Sequence, residues 1–280
     1  MKKVTLFLFL LILAIGSTVD ARDSLDLFVF DRNKIAVGTL YYYTSAGVGD
    51  ETGGICDYYI YISAEDVVET LFTYKNPTVV YHYLYEYDWR YFMPKRREIR
   101  CLNPVENVPP NYTISHRRTV DNFYDYYWQC EGKSRDKKGA INSYVEQIKF
   151  KRLPTFERTT ELALGMKFLN QKQKKFEVGY YRYGLYCDLA GEDLGQESVN
   201  GVGCQKYKFT GKGLLAAMFG KDFYIWIAND DTCKIVKIED FNDVGSYYPN
   251  GQILELQWAK KVSKEDWGAL IESERDKTYK

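Results

Sequence analysis

A run of alternating aromatic residues is the feature that most constrains how this chain can fold. Residues 79–92 read VVYHYLYEYDWRYF, with an aromatic residue at every second position. The six aromatic residues are Tyr81, Tyr83, Tyr85, Tyr87, Trp89 and Tyr91. Because successive side chains of a β-strand point to opposite faces, these six rings share one face. The run therefore predicts a long strand with one aromatic face.

The rest of the chain also favours β structure. Tyrosine contributes 26 of the 280 residues, and aromatic residues favour strands. Five strand candidates, separated by turn-rich segments, follow Pro154: residues 176–189, 201–210, 222–228, 233–240 and 252–262. This succession predicts an antiparallel meander. The fold class is therefore α+β, mainly β.

Two short segments carry signals for helices. Ser63 followed by Asp66 matches a capping box, and the residues after it predict a short helix. Ser263 with Asp266 matches the same pattern and predicts a final helix with an apolar stripe of Trp267, Leu270 and Ile271.

Residues 35–43 and 56–62 flank a glycine-rich stretch and predict a hairpin.

The N-terminus indicates export. Lys2 and Lys3 precede an apolar run at 6–15, which is typical of a signal peptide cleaved after Ala21. The apolar run is shorter than the ~20 residues of a spanning helix, so the protein is not expected to span a membrane. We expect residues 1–21 to be removed and residues 22–280 to form a single β-rich domain, with a possible subdivision at the proline-rich segment 103–110. The expected location is periplasmic or secreted.

Six cysteines follow the predicted signal peptide, and an even number in an exported chain favours disulfides. Among many possible connectivities, the local pairings are Cys101 with Cys130 and Cys187 with Cys204, which leaves Cys56 with Cys233. A metal site is the alternative. However, the chain has no C-x-x-C spacing, and neither of its two histidines lies in a ligand pattern, so we expect neither a metal nor a cofactor.

Charge and missing motifs narrow the functional classes. Basic and acidic residues number 38 each, and this balance argues against nucleic acid as a partner. No nucleophile elbow, zinc-protease motif or phosphate-binding loop occurs, so a non-catalytic protein is expected. A hydrolase with two carboxylates stays open as an alternative, because such pairs are defined by distance in space.

Three segments in the last third of the chain carry a family resemblance. They are residues 199–209 (VNGVGCQKYKF), 224–228 (YIWIA) and 235–239 (IVKIE). Their pattern resembles the outer-membrane lipoprotein-sorting proteins and other LolA-like periplasmic half-barrels. The resemblance implies an open or half barrel of antiparallel strands with a few covering helices. It also implies a concave face that holds acyl chains or another apolar ligand.

The aromatic face leaves several functions open. As a ligand-binding surface, it would make the protein a carrier of a lipid or other hydrophobic small molecule. As an exposed surface, it would suit a tyrosine-rich interaction domain that recognises a protein or glycan. Simple core packing is the third explanation for the same rings.

Overall fold

The computed structural model describes most of the chain after residue 27. The described residues are 28–47, 56–75, 78–88, 93–103, 113–120, 127–135, 141–149, 155–156, 159–171, 173–182, 185–213, 222–230, 234–240 and 252–277. The predicted signal peptide, residues 1–21, lies outside them, so the signal peptide stays a prediction.

Strands dominate the described residues. They are β1 (Phe28–Phe30), β2 (Thr39–Gly47), β3 (Cys56–Ala64), β4 (Val67–Lys75), β5 (Thr78–Asp88), β6 (Met93–Cys101), β7 (Thr113–Val120), β8 (Tyr127–Arg135), β9 (Ile141–Lys149), β10 (Thr155–Phe156), β11 (Leu169–Gln171), β12 (Lys175–Arg182), β13 (Leu185–Val199), β14 (Val202–Gly211), β15 (Phe223–Ala228), β16 (Ile235–Asp240) and β17 (Gln252–Lys261). Two α-helices, α1 (Thr159–Phe168) and α2 (Lys264–Asp276), and a 3₁₀ turn at Arg32–Lys34 complete the described elements.

Fifteen of these strands form one open sheet. Its order is β10-β12-β13-β14-β15-β16-β17-β2-β3-β4-β5-β6-β7-β8-β9, and every neighbouring pair except β10 with β12 is antiparallel. The chain runs as two meanders, β2 to β9 and β12 to β17, which join where β17 pairs with β2. The predicted fold class, a mainly β antiparallel meander forming an open or half barrel with a few covering helices, is confirmed.

The C-terminal meander follows the predicted strands with one correction. Residues 176–189 form two strands, because β12 and β13 pair as a hairpin in which Arg182 lies opposite Leu185. The hairpin between β13 and β14 turns at Asn200 and Gly201, which have φ values of 51° and 80°. Positive φ at both central residues is the geometry of a tight two-residue hairpin turn.

The predicted hairpin near the N-terminus is confirmed, since β2 and β3 pair antiparallel. The helix predicted after Ser63 is wrong: β4 begins at Val67 and pairs with β3 across a short turn. The capping pattern is followed by VVETLFTY, in which β-branched and aromatic residues favour a strand. The predicted C-terminal helix is confirmed as α2, with Ser263 and Asp266 forming a complete capping box.

Two apolar layers cover the sheet, one on each side. The face that packs on α1, here called the α1 face, includes Tyr41, Ile60, Val68, Tyr85 and Ile225, together with Leu162, Leu164 and Met166 of the helix. The opposite face, here called the α2 face, carries Leu40, Tyr59, Tyr61, Leu71 and Val80 around Trp267 of α2. Alternation along each strand assigns neighbouring residues to opposite faces.

Two of the predicted disulfides are wrong, because Cys56, Cys187 and Cys204 are free and buried thiols. On the hairpin of β13 and β14, Cys204 lies opposite Glu197, about ten residues along β13 from Cys187, or roughly 33 Å. The Cα atoms of bridged cysteines lie within about 7 Å of each other, so this pair is excluded. The pairing of Cys56 with Cys233 fails because Cys56 is free, while Cys233 lies outside the described residues.

The strand register also excludes the third pairing. Cys130 on β8 lies opposite Arg118 of β7, and β7 in turn pairs Arg117 with Arg96 of β6. Cys101 lies at the other end of β6, which separates the two cysteines by about six residues along the strands, or roughly 20 Å. Within the described part of the chain, the predicted disulfides therefore lend no support to the predicted export.

Candidate ligand-binding face

The predicted aromatic strand is β5, and four of its six predicted rings lie in the described residues. Tyr81, Tyr83, Tyr85 and Tyr87 form a row along the α1 face, here called the tyrosine ladder. Successive ring centroids are 6.3, 6.1 and 6.1 Å apart, and the rings of Tyr83 and Tyr85 are within 2° of parallel. Trp89 and Tyr91 lie outside the described residues, since β5 ends at Asp88.

Burial changes along the ladder. Tyr85 and Tyr87 are 4% and 1% exposed, and they belong to the apolar layer of the α1 face. Tyr81 and Tyr83 are half-buried, and Tyr83 packs against the edge of that layer. One end of the ladder is therefore core, whereas the other end is accessible to solvent.

A second aromatic row crosses the sheet and meets the tyrosine ladder at Tyr81. Tyr43, Tyr58, Phe72 and Tyr81 lie in successive register positions on β2, β3, β4 and β5. The centroids of Tyr43 and Tyr58 are 6.3 Å apart, and those of Tyr58 and Phe72 are 5.6 Å apart with an edge-to-face arrangement. Such pairs add to the energy of burial itself. The α1 face thus carries an aromatic surface that extends across four strands.

Polar groups occur at defined points within this apolar layer. The Tyr43 hydroxyl donates to the carbonyl oxygen of Ile235 at 3.1 Å, and burial raises the pKa of Tyr43 well above its ordinary value. Lys167, near the end of α1, is 2% exposed and donates from Nζ to the hydroxyl oxygen of Tyr41 at 2.5 Å. Its Nζ also lies 4.2 Å from the centroid of the Tyr41 ring, which is a cation–π contact.

The α2 face holds a different kind of site, built from buried carboxylates. Glu69 on β4 accepts hydrogen bonds from His82 Nε2 at 2.9 Å and from Trp267 Nε1 of α2 at 2.8 Å. Burial alone would raise the pKa of Glu69, but the hydrogen bonds from His82 and Trp267 bring it below its ordinary value. Glu69 is therefore an ionised group that ties the sheet to α2.

Glu274 of α2 makes the reciprocal connection. Its carboxylate is fully buried and accepts hydrogen bonds from Tyr59 and Thr73 of the sheet, both at 3.0 Å. Burial, and then the negative charge of Glu274, raise the pKa of Tyr59 far above its ordinary value. Lys277 also donates to Glu274. Glu69 and Glu274 therefore both link α2 to the sheet through hydrogen bonds.

A third buried carboxylate, Asp57, lies at the margin of the same face. It accepts from the Tyr42 hydroxyl at 2.7 Å and pairs with Lys75 at 3.1 Å. The Tyr42 ring stacks on Tyr59 at 4.8 Å, and on its other side it contacts Trp258, which is 38% exposed, at 5.2 Å.

Sequence reasoning missed Lys167, Tyr41 and the carboxylates of the α2 face. The helix α1 itself was not predicted, although residues 162–167 of α1 are buried without interruption. A helix surrounded on all sides has no polar stripe, so periodicity gives no signal for it. A lysine directly after the apolar segment 162–166 was the available sign of an unusual environment.

Two negative findings concern the described residues alone. Within them, no three metal-ligating side chains converge on one point. No helix among them combines the length and apolarity needed to cross a membrane.

The buried thiols of Cys56, Cys187 and Cys204 have pKa values raised mainly by burial, to about 11 for Cys187, which is typical of unreactive cysteines.

Known proteins show only a distant similarity to this chain. No family model matches the chain, and no curated protein matches it. Among solved structures, the chain is similar to the Mycobacterium tuberculosis lipoprotein LppX, with 12% identity, a TM-score of 0.24 and coverage of 87% of this chain and 94% of that one. It is also similar to a DUF1329 family protein from Desulfovibrio piger, with 10% identity, a TM-score of 0.29 and coverage of 88% and 92%. These scores are too low to assign the chain to a family, and the resemblance to LolA-like proteins stays a prediction.

Proposed function

We propose that the protein is an exported, non-catalytic binding protein that carries a lipid or another hydrophobic ligand on its α1 face. The observation that supports this most directly is the tyrosine ladder, which continues from buried core rings at Tyr85 and Tyr87 to half-buried rings at Tyr81 and Tyr83. Apolar ligands bind to surfaces that are mostly aromatic and aliphatic and carry a few placed polar groups.

Burial along the ladder separates this proposal from its alternatives. A fully packed core would bury all four rings of the ladder, whereas a flat recognition surface would expose all four. Tyr81 and Tyr83 fit neither description, because both are half-buried, and Tyr83 packs against the apolar layer. The apolar chain of a ligand that extends outward from the buried ring of Tyr85 would lie over the rings of Tyr83 and Tyr81.

The test is native mass spectrometry of the mature protein, followed by denaturation and organic extraction of anything that copurifies. We expect an acyl-chain or phospholipid species to remain bound, and Tyr83→Asp to lose it because a charge would then occupy the apolar surface. Tyr224→Asp is the matched control, since Tyr224 is also half-buried but lies on the opposite face of the sheet. A wild-type protein that carries nothing and takes up no added lipid would refute the proposal.

The proposal that the protein is non-catalytic is supported by the hydrogen bonds that its buried carboxylates accept. Glu69, Glu274 and Asp57 each accept hydrogen bonds from side chains of the sheet or of α2, and each is less than 9% exposed. A glycosidase needs two carboxylates that face a substrate in an open cleft. Hydrolysis of glycoside or ester substrates that disappears in Glu69→Gln without loss of folding would contradict this part.

One observation favours the alternative function of a tyrosine-rich interaction domain that recognises a protein or glycan. Trp258 on the α2 face is exposed and packs against Tyr42, close to the charged pair of Asp57 and Lys75. Exposed tryptophans are frequent anchors of recognition surfaces. Binding of a glycan or protein that is lost in Trp258→Ala and kept in Tyr83→Asp would support this alternative over the carrier.

A further inference from the structure

Positive charge is concentrated on one part of the sheet, although the whole chain is balanced. Strands β6 to β9 together contain nine basic residues and three acidic ones. The basic residues are Lys95, Arg96, Arg97, Arg100, Arg117, Arg118, Lys133, Arg135 and Lys149. By contrast, β2 to β5 contain one basic and four acidic residues, and β12 to β17 contain seven basic and eight acidic ones. A local excess of one sign within a neutral chain favours an interaction with a partner of opposite charge.

Protection of a sheet edge does not account for this charge. Charged residues often occupy edge strands, where they prevent pairing with another chain. Among the described strands β9 is the last of the sheet, and its charged residues are Glu146 and Lys149. The other eight basic residues lie on β6, β7 and β8, and each of these strands is paired on both sides. Their charge therefore needs a different explanation.

The described side chains of β6 show how part of this charge is presented. Arg96 Nη2 donates to one carboxylate oxygen of Glu98 at 3.0 Å, and Arg100 Nε donates to the other at 2.6 Å. The Glu98 side chain is 11% exposed, whereas those of Arg96 and Arg100 are 53% and 55% exposed. One largely buried carboxylate thus positions two exposed guanidinium groups, and the three side chains together keep a net positive charge.

The basic strands begin beside the accessible end of the tyrosine ladder. β6 pairs with β5, with Ile99 opposite Tyr83 and Arg100 opposite His82. His82 lies between Tyr81 and Tyr83 along β5, and neighbouring strands are about 5 Å apart. The backbone of the exposed Arg100 is therefore one strand away from the half-buried rings of the ladder.

We propose that strands β6 to β9 dock the protein on an anionic lipid bilayer, where the ligand enters or leaves at the adjoining end of the ladder. The choice of a bilayer rests on the proposed carrier function, since a carrier of a membrane lipid exchanges it at a membrane. Clusters of about four to eight Lys and Arg residues bind anionic lipid headgroups through charge. Guanidinium groups also match phosphate oxygens with two parallel donors.

The test is cosedimentation of the purified full-length mature protein with vesicles of phosphatidylcholine, with and without about one quarter of phosphatidylglycerol. We expect at least about tenfold tighter binding to the anionic vesicles at low salt, because the basic strands are attracted by the negative surface. This preference should be lost at about 1 M salt, where the screening length falls to about 3 Å.

Two sets of four substitutions locate the contact while they change the net charge equally. The first set neutralises four basic residues of β6 to β8 and should abolish the preference for anionic vesicles: Arg96→Gln, Arg100→Gln, Arg117→Gln and Lys133→Gln. The matched control neutralises four lysines of β12, β14 and β16 and should retain the preference: Lys175→Gln, Lys206→Gln, Lys208→Gln and Lys237→Gln. If the first set fails to fold, hydrogen exchange of the wild-type protein decides, since anionic vesicles should protect β6 to β9 and leave β12 to β17 unchanged.

The outcomes separate docking from the carrier function. Equal binding to both kinds of vesicle, binding to neither, or an equal loss of preference in the two sets of variants would overturn the docking. An oligodeoxynucleotide that binds more tightly than the anionic vesicles would overturn it in favour of nucleic acid. Lipid that copurifies with a protein unable to bind vesicles would refute the docking alone. Vesicle binding by a protein that neither retains nor takes up lipid would refute the carrier function alone.

Discussion

At the scale of single residues, Glu69 gives the α2 face a pH dependence. Its pKa lies below the ordinary value of 4.5, which we take for the unfolded chain, because His82 and Trp267 donate to its charged form. A group with a lowered folded pKa contributes stability that is complete above its unfolded pKa and is lost as pH falls through the folded one. This contribution should therefore be complete at neutral pH and be lost progressively as pH falls below about 4.5.

We predict that Glu69→Gln lowers the free energy of unfolding by about 1–3 kcal/mol at neutral pH, because buried groups that donate to a carboxylate lose their charged partner. The difference from the wild-type protein should narrow as pH falls below the ordinary glutamate pKa. Urea unfolding between neutral pH and about pH 3 measures both effects. Glu177→Gln, at a partly exposed ion pair with Lys212, serves as the control and should cost less than about 1 kcal/mol. A difference that does not change with pH would contradict the assignment.

The hydroxyl of Tyr59 is a second residue whose role can be isolated. Tyr59→Phe removes one donor from the fully buried Glu274 and keeps the ring, so we expect a loss of about 1–3 kcal/mol in the free energy of unfolding. Tyr61→Phe is matched to it, since Tyr61 is on the same strand and packs its ring on Trp267. Equal and small effects of the two variants in urea unfolding would mean that Glu274 does not depend on Tyr59.

At the scale of elements, Gly191 decides how three strands pack. It lies on β13 between Phe176 of β12 and Phe209 of β14, whose rings meet edge to face at 5.8 Å. A Cβ atom at Gly191 would collide with the Phe176 ring. We predict that Gly191→Ala destabilises the protein by about 1–3 kcal/mol, because both rings are buried and have little room to move.

The control for this prediction is Gly203→Ala on β14. Gly203 is an exposed strand glycine with ordinary φ, and the nearest atom to an added Cβ is the Asn229 amide nitrogen at 4.0 Å. Because alanine loses less backbone entropy than glycine on folding, this variant should be neutral or slightly stabilising. Similar thermal stabilities for the two variants would show that the Phe176 ring moves aside without cost.

The elements that the sequence predicts are those with local signals. The alternation on β5 and the capping box of α2 are each complete within a few residues, and both are present in the structure. The helix predicted at Ser63 fails because a capping pattern is short, and the β-branched residues after it pair with β3. The turn between β12 and β13 was missed because both flanking strands are apolar and aromatic, so residues 176–189 read as one strand.

The candidate site is predictable only in part, for a different reason. The tyrosine ladder is local and follows from the period of a strand. The contacts of Lys167 with Tyr41 and of Trp267 with Glu69 join residues 126 and 198 positions apart. No local pattern specifies such partners, since they depend on which strands become neighbours in the sheet.

At the scale of the whole molecule, the pairing of β17 with β2 unites the two ends of the chain. Among the described strands, the two meanders join in one sheet at this strand pair, in which Ala259 lies opposite Tyr41. Both halves also contribute to the same apolar layer on the α1 face, with Ile60 from one and Ile225 from the other. The single β-rich domain stays a prediction, and a shared sheet and a shared core lead us to expect that the two halves unfold as one cooperative unit.

We predict that Ala259→Pro destabilises both halves together by about 3 kcal/mol or more, because proline removes a donor and fixes φ within a central strand. Hydrogen exchange monitored by mass spectrometry should show faster exchange in β3 and β4 as well as in β14 and β15. Lys264→Pro, five residues further along, is the control: it occupies the first position of α2, where proline is tolerated. Faster exchange confined to β12–β17 would mean that the two meanders unfold independently, and that the chain is two domains joined edge to edge.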